Sequence, residues 1–310
     1  MNILVPFAVT DATLFSINVP EDDHAVWSGV TTYARGDYAI SLATHTVYRS
    51  LQDGNLNNDP DLEAAALADP LIDNPDPVQW QIMGATNRWR MFDSKPSQKA
   101  TQAGSIEFEV RPGVFIGGIA GFGISADDVR VRAYSDADLI YDHTVEMRDE
   151  TAVLDWLSYF ISPYSPLAEF VLTDLPLLGS PRIVVTLSGA VVEAGQIVLG
   201  QSHRIGTSLQ EGAGFAGLDF SYVQTDEFGN LTTVQREATK ISDFSVSVRR
   251  ENLFAIARVF NRLRGGIPAV WIASDNDRLA AVNYGYYRGW RTVYVGADHA
   301  EISIEVQGIV

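Results

Sequence analysis

The chain contains no cysteine, which excludes disulfide bonds and thiolate metal sites. It contains no apolar run near the roughly 20 residues that a membrane-spanning helix needs. The first residues, 1–9, have no basic region ahead of their apolar ones, so we expect a first β-strand rather than a secretory signal. We therefore predict no disulfide support and no membrane insertion.

Sequence patterns of common catalytic sites are also missing. No Gly-rich segment continues into the Gly-Lys-Ser/Thr of a phosphate-binding loop, and no serine stands in a Gly-x-Ser-x-Gly turn. The five histidines are dispersed, and none is paired at metal-binding spacing. We predict a protein that is not an enzyme and that has no catalytic residues, no metal and no cofactor.

Basic side chains are scarce, with 22 Lys and Arg against 39 Asp and Glu and a net charge of −17. The excess is uneven, because residues 1–85 carry 12 acidic and 2 basic side chains, whereas residues 201–310 carry 12 and 11. An acidic surface repels phosphates, so we expect no nucleic-acid partner. Strong net charge also helps to keep a large assembly soluble.

Short alternating segments fill the chain after residue 105. In 106–110, 129–134 and 182–187, polar and apolar residues alternate, which predicts strands with one buried face. Many short strands separated by turn residues favour a β-sandwich or jelly roll. We predict a mainly β fold in four parts: an N-terminal strand segment (1–20), a small aromatic-rich module (21–85), a β-sandwich or jelly-roll domain (86–203) and a C-terminal β domain (204–310).

The C-terminal part contains one segment with helical periodicity, residues 250–263. Its apolar residues recur at spacings of three and four and form one stripe, and Gly265-Gly266 follows as a stop. We predict an amphipathic helix there. Further upstream, Asn87 to Phe92 alternates polar and large residues and predicts a strand that enters the sandwich domain.

The aromatic-rich module is the most specific feature of the chain. Gly36-Asp37 favours a tight turn, and the β-prone runs 38–42 and 46–51 flank a short polar segment and predict a hairpin. Four large rings surround this hairpin: Trp27, Tyr33, Tyr48 and Trp80. A unit of fewer than about 70 residues needs bulky rings to form a core, whereas an exposed ring can stack on the apolar face of a sugar. Both uses remain open, and we rank the core above sugar binding.

The order of these residues adds a family resemblance. A Trp, a Thr-Tyr, the Gly-Asp turn, a Tyr-Arg strand, an Asn/Pro-rich loop and a final Trp follow one another between Trp27 and Trp80. This segment resembles the small carbohydrate-binding modules, specific for chitin or cellulose, of bacterial chitinases and cellulases. The resemblance implies that Trp27, Tyr33, Tyr48 and Trp80 are the candidates for contact with carbohydrate.

Two further groups of residues are candidates for sites. The loop from Asp53 to Asp61 places oxygen ligands at alternate positions, as a calcium loop does, but it lacks the closing bidentate Glu, and turn-rich loops have the same composition. Calcium binding by this loop stays open. Near the C-terminus, a dense set of Tyr, Trp and Arg side chains is typical of protein–protein contacts. The interface candidates are Tyr286, Tyr287, Arg288 and Trp290.

The whole chain resembles tail proteins of bacteriophages, in which a chitinase-like module is often embedded in an all-β polypeptide. The residues that carry this resemblance are the N-terminal strand over 5–16, the module, and the segment Asn87 to Asp93. It implies a structural protein of the virion, made in the bacterial host cytoplasm and placed in the tail tip or baseplate. The expected partners are other tail proteins, further copies of the chain in a trimer or hexamer, and host cell-surface polysaccharide.

Two alternatives to the structural role remain. The first is a lectin-like protein whose main task is recognition of a carbohydrate receptor. The second is a glycan-degrading enzyme, which requires two carboxylates about 5–10 Å apart in a cleft. Glu107 and Glu109 share one face of a predicted strand, but solvated positions of that strand explain them better.

Overall fold

The computed structural model describes residues 1–69, 77–149, 166–225, 227–273 and 282–309, except the side chains of 210–212. The secondary structure is mainly β, as a sandwich with an amphipathic helix, which confirms the predicted fold class. The strands are β1 (Asn2–Pro6), β2 (Leu14–Ile17), β3 (Thr32–Tyr33), β4 (Tyr38–Ser41), β5 (Thr46–Ser50), β6 (Asn55–Leu56), β7 (Trp80–Ala85), β8 (Ala100–Val110), β9 (Gly118–Phe122), β10 (Asp128–Ser135), β11 (Asp138–Glu146), β12 (Glu169–Leu172), β13 (Arg182–Ala194), β14 (Gln196–Arg204), β15 (Thr207–Asp219), β16 (Tyr222–Thr225), β17 (Leu231–Val234), β18 (Ala238–Arg249), β19 (Ala269–Ile272), β20 (Val282–Tyr294) and β21 (His299–Gly308). The helices are α1 (Pro60–Ala68) and α2 (Leu253–Arg262), with 3₁₀ turns at Arg90–Phe92 and Arg250–Asn252.

Two antiparallel sheets form the sandwich. One has nine strands in the order β12-β9-β14-β1-β19-β20-β21-β18-β15, and the other has five in the order β11-β10-β13-β8-β2. The alternating strands predicted from sequence turn their apolar faces into a shared core, where Phe108 of β8 and Val185 of β13 face Ile119 of β9 and Leu199 of β14. Burial of these alternating side chains is what holds the two sheets together.

Strand β1 lies inside the nine-stranded sheet and connects its two parts. It pairs with β14 on one side and with β19 on the other, and Ile3 and Leu4 are fully buried. The sheet therefore runs without interruption across the predicted boundary between residues 203 and 204. The division of the chain into four parts stays a prediction, but its last two parts share one sheet.

Helix α2 packs on the C-terminal half of that sheet. Ile256, Phe260 and Leu263 are buried, and Phe260 stacks on Trp271 with ring centroids 6.1 Å apart. The predicted apolar stripe is confirmed, although the α-helix itself begins at Leu253, after a 3₁₀ turn.

The aromatic-rich module contains a three-stranded sheet of order β4-β5-β7 and a short pair of β3 with β6. The pairing of β4 with β5 confirms the predicted hairpin, and His45 in its turn has a positive φ of 54°. Helix α1 precedes β7 in this part of the chain. It begins at Pro60, because the Asp59 side chain accepts a hydrogen bond from the Asp61 backbone N–H and Pro60 suits the first helical position.

The prediction of a strand over Asn87–Phe92 is wrong. The Thr86 carbonyl accepts hydrogen bonds from the backbone N–H groups of Trp89 (2.8 Å) and Arg90 (3.0 Å), which close a turn that leads into 3₁₀ structure. The large residues of this segment are buried by that turn rather than by strand alternation, with Met91 in the sandwich core.

Candidate functional site

Three of the four candidate carbohydrate-binding rings form the core of the module. Tyr33, Tyr48 and Trp80 are 6%, 2% and 3% exposed. Trp80 meets the other two rings edge-on, at centroid distances of 5.0 and 6.5 Å, and its indole N–H donates to the Asn58 carbonyl at 2.9 Å. Rings buried on both faces offer no surface on which a sugar could stack.

Trp27 is the fourth ring, and it is half-buried against this core. Its indole Nε1 is buried and has no hydrogen-bond partner among the described residues. Trp27 is thus the one carbohydrate-binding candidate of the four with part of its ring open to solvent.

Two carboxylates of α1 organise the polar side of the module. Asp61 accepts hydrogen bonds from the hydroxyls of Tyr48 (2.8 Å), Thr44 (2.8 Å) and Ser41 (2.5 Å). Burial, with the neighbouring Asp61 carboxylate, raises the pKa of Tyr48 to about 12. Glu63 is buried and accepts the backbone N–H groups that begin β7, with 2.8 Å from its Oε1 to the nitrogen of Trp80.

These contacts bear on the candidate calcium loop. Its oxygens are engaged within the protein: Asp53 accepts the Arg35 N–H at 2.9 Å, Asp59 caps α1, and Asn55 accepts from the Asn58 amide at 2.7 Å. Within the described ranges, no three acidic or histidine side chains are grouped as metal ligands. The alternate spacing in sequence is thus used for turns and for a helix cap.

A histidine cluster that sequence reasoning missed joins the module to the rest of the chain. His45 Nδ1 lies 2.9 Å from Glu21 Oε1, and His45 Nε2 lies 3.0 Å from Asp11 Oδ2. The imidazole also stacks on Trp89, at 4.2 Å between centroids, and the Thr86 hydroxyl donates to Glu21 at 2.8 Å. We name this group the histidine joint.

The geometry of the joint sets its protonation. Each ring nitrogen of His45 faces a carboxylate oxygen, and both can donate only when the imidazole is protonated. Burial by itself lowers the pKa of His45, but the hydrogen bonds and charges of Asp11 and Glu21 outweigh it and raise that pKa above its usual value. No sequence motif predicts this cluster, because its members come from three separate segments, residues 11–21, residue 45 and residues 86–89.

Beside the joint lies an open cavity of about 450 Å³, lined by Asp11, His45, Trp89 and Asp93 among others. Burial raises the pKa of Asp93 to about 6. Its Oδ1 accepts the Lys95 backbone N–H at 2.9 Å, whereas its Oδ2 is buried without a partner among the described residues.

The strand carboxylates Glu107 and Glu109 are each held by arginine. Glu107 Oε2 lies 3.0 Å from Arg132, and Glu109 Oε1 lies 2.7 Å from Arg111. Glu107 is exposed, as expected for a solvated strand position, whereas Glu109 is half-buried.

The interface candidates lie along β20 and divide between core and surface. Tyr286 and Tyr287 are half-buried, and Tyr287 donates its hydroxyl to the Phe260 carbonyl at 3.1 Å. Arg288 is exposed and bonds to Glu305 at 2.9 Å, and Trp290 is exposed on one side while it stacks on Phe260 at 5.1 Å. Arg288 and Trp290 are thus the two available for contact.

Among the described residues, a group of exposed apolar side chains lies at one end of the large sheet. Residues 217–225 and 227–240 form a two-stranded arm, in which the ends of β15 and β18 continue into the paired strands β16 and β17. Every residue of β16 and β17 is exposed. The large exposed apolar side chains of the arm are Phe220, Tyr222, Val223, Phe228, Leu231 and Val234.

No family model, curated protein or solved structure matches the chain. Of the helices that the structure describes, none has the length and apolar character to cross a bilayer.

Proposed function

We propose that the protein is a structural subunit of a bacteriophage tail tip or baseplate, without enzymatic activity, that assembles with further copies and with other tail proteins. The observation that carries the assembly is the arm. Two-stranded ribbons are only marginally stable alone in water, and this one exposes apolar side chains on both faces. In antiparallel pairing, Tyr222 and Val223 point to opposite sides, and both are about half exposed.

The edge of the large sheet supports the same conclusion. Strand β15 pairs with β18 on one side, ends the sheet on the other, and contains neither Lys nor Pro. Its charged residues are Glu211 and Asp219, and an edge strand without the Lys and Pro that commonly block pairing stays open to another chain. We infer that a partner chain covers this edge and the arm in the assembled virion.

The lectin-like alternative has less support, because three of the four candidate rings are buried. Contact with host polysaccharide stays part of the proposal only through half-buried Trp27. A glycan-degrading role has the least support, since Glu107 and Glu109 are both paired with arginine.

The test is the mass of the full chain in solution by light scattering, with and without bacterial cell-wall polysaccharide. A variant with Phe220→Ser, Val223→Thr and Leu231→Thr removes apolar surface from the arm. Phe115→Ser, Val191→Thr and Leu177→Thr together form the matched control, because all three side chains are exposed outside the arm, the module and α2.

We expect a stable oligomer that polysaccharide does not change, a lower mass for the arm variant, and an unchanged mass for the control. A monomer that gains mass on adding polysaccharide would overturn the structural proposal and favour the lectin.

A further inference from the structure

The segment around α2 carries a charge opposite to that of the chain. Residues 249–264 contain five arginines and one glutamate, in a protein with a net charge of −17. We name this segment the arginine ledge; all five arginines are exposed. Arg249 lies 3.6 Å from Glu251, and within the described residues no ion pair joins Arg258, Arg262 or Arg264 to a carboxylate.

An exposed aromatic ring lies among these cations. Phe254 is 71% exposed, and the Arg258 guanidinium lies over its ring, 4.7 Å from the centroid. The ring belongs to the outer face of α2, since the apolar stripe on the inner face is buried against the sheet. Arginine with an exposed aromatic ring is the combination enriched at protein contacts.

The complementary surface is present in the same chain. The module, residues 21–85, holds 11 acidic and 2 basic side chains, and Asp22, Asp37 and Asp53 are exposed. In the described part of the molecule, no ion pair connects this acidic region to the ledge. A contact between the two surfaces would therefore come from two different molecules.

We propose that the arginine ledge of one copy binds the acidic module of a second copy. This inference rests on the proposed function for its expectation of an oligomer, and it names the surfaces that meet. The contact is heterologous, because two different surfaces meet, so repetition closes a ring or extends a filament. A ring agrees with the expected trimer or hexamer.

The experiment uses two variants of the whole chain, one that removes positive charge from the ledge and one that adds positive charge to the module. The ledge variant carries Arg258→Glu and Arg262→Glu, which bring the net charge of the ledge from +4 to zero. The module variant carries Asp22→Lys, Leu62→Lys and Ala65→Lys at exposed positions. The matched control, Lys95→Glu with Arg204→Glu, makes the same charge change as the ledge variant at exposed positions outside both the ledge and the module.

Self-association is measured by sedimentation at about 0.05 M and about 0.5 M sodium chloride, since screening lengths shorten strongly over this range. We expect each of the ledge and module variants to associate about tenfold more weakly than wild type at low salt, because like charges now face each other. The control stays like wild type. An equal mixture of the two weakened variants has a higher average mass than either alone, because one intact ledge meets one intact module.

The outcomes separate this inference from the proposed function. A wild-type monomer would overturn both. An oligomer that the arm variant weakens but the ledge variant leaves unchanged would overturn the ledge contact alone. Weakened variants that do not recover on mixing would show that the ledge meets another surface, and would overturn its pairing with the module.

Discussion

Replacement of Trp80 by alanine tests whether the module's rings are core or sugar platforms. Trp80 is almost fully buried, and removal of a core Trp typically costs 3–5 kcal/mol. Its edge-on contacts with Tyr33 and Tyr48 each add about 0.5–1.5 kcal/mol. The indole hydrogen bond to the Asn58 carbonyl is lost as well. We expect Trp80→Ala to lower the free energy of unfolding by about 5 kcal/mol, the upper end of the range for a core Trp.

A loss of this size is comparable to the whole stability of a small unit, which is about 5 kcal/mol at the lower end of natural domains. The module should therefore unfold in Trp80→Ala while the sandwich persists. Limited proteolysis with mass spectrometry would locate new cleavage within residues 21–85, and calorimetry would show loss of part of the transition. Trp80→Phe is the control, because it keeps a ring and should lose only about 1–2 kcal/mol.

The result that would refute this reasoning is a Trp80→Ala protein with unchanged unfolding that has lost a measurable affinity for chitin or cellulose. The ring would then act as a platform for sugar and not as core. Trp27→Ala gives the comparison within the module, and its half-burial predicts a loss of about 1–2 kcal/mol.

Two other predictions concern the polar groups that hold the module. His45→Gln should cost about 1–2 kcal/mol at low pH, because glutamine cannot donate to both Asp11 and Glu21 as a charged ring does. The pKa of His45 is raised in the folded state, so its extra contribution to stability is complete below about pH 6.5 and declines as the pH rises through the folded pKa. Thermal unfolding of wild type and variant at about pH 5.5 and about pH 9 measures this contribution. An equal difference in stability at the two pH values would contradict a charged His45. Glu63→Gln should cost about 1–2 kcal/mol in urea unfolding, because the charge is lost and an amide N–H group replaces Oε2, which accepts from the Gln79 N–H at 3.1 Å, whereas the amide oxygen can keep the bonds of Oε1. A loss no larger than that of exposed Leu62→Ala would show that the carboxylate is dispensable.

Local patterns predicted the elements whose neighbours are close in sequence. The hairpin of β4 and β5 follows from β-prone runs around a short turn, and the stripe of α2 follows from spacings of three and four. Both signals are set by the geometry of one strand pair or one helix. The Asn87–Phe92 segment misled the same reasoning, because the Thr86 carbonyl closes a turn that its apolar pattern does not encode.

The candidate site was predicted less completely. Sequence reasoning found the four aromatic rings but could not decide which of them are buried, because burial depends on α1 and β7 closing over the hairpin. It found no role for His45, since Asp11 and Glu21 approach it only in the folded chain. The exposure of the arm could not be predicted either, because it depends on where the sheet beside its strands ends.

The amino-acid sequence by itself determined the mainly β class, the absence of disulfides, the amphipathic helix and the concentration of acidic charge towards the N-terminal end, all of which depend on composition or on periods of two and 3.6 residues. Only the tertiary structure decided which rings became core, how His45 came to lie between two carboxylates, and which strands were left at an edge. These depend on contacts between residues far apart in the chain, such as β1 with β19, and long-range pairing is set by the global packing of apolar faces rather than by any local pattern.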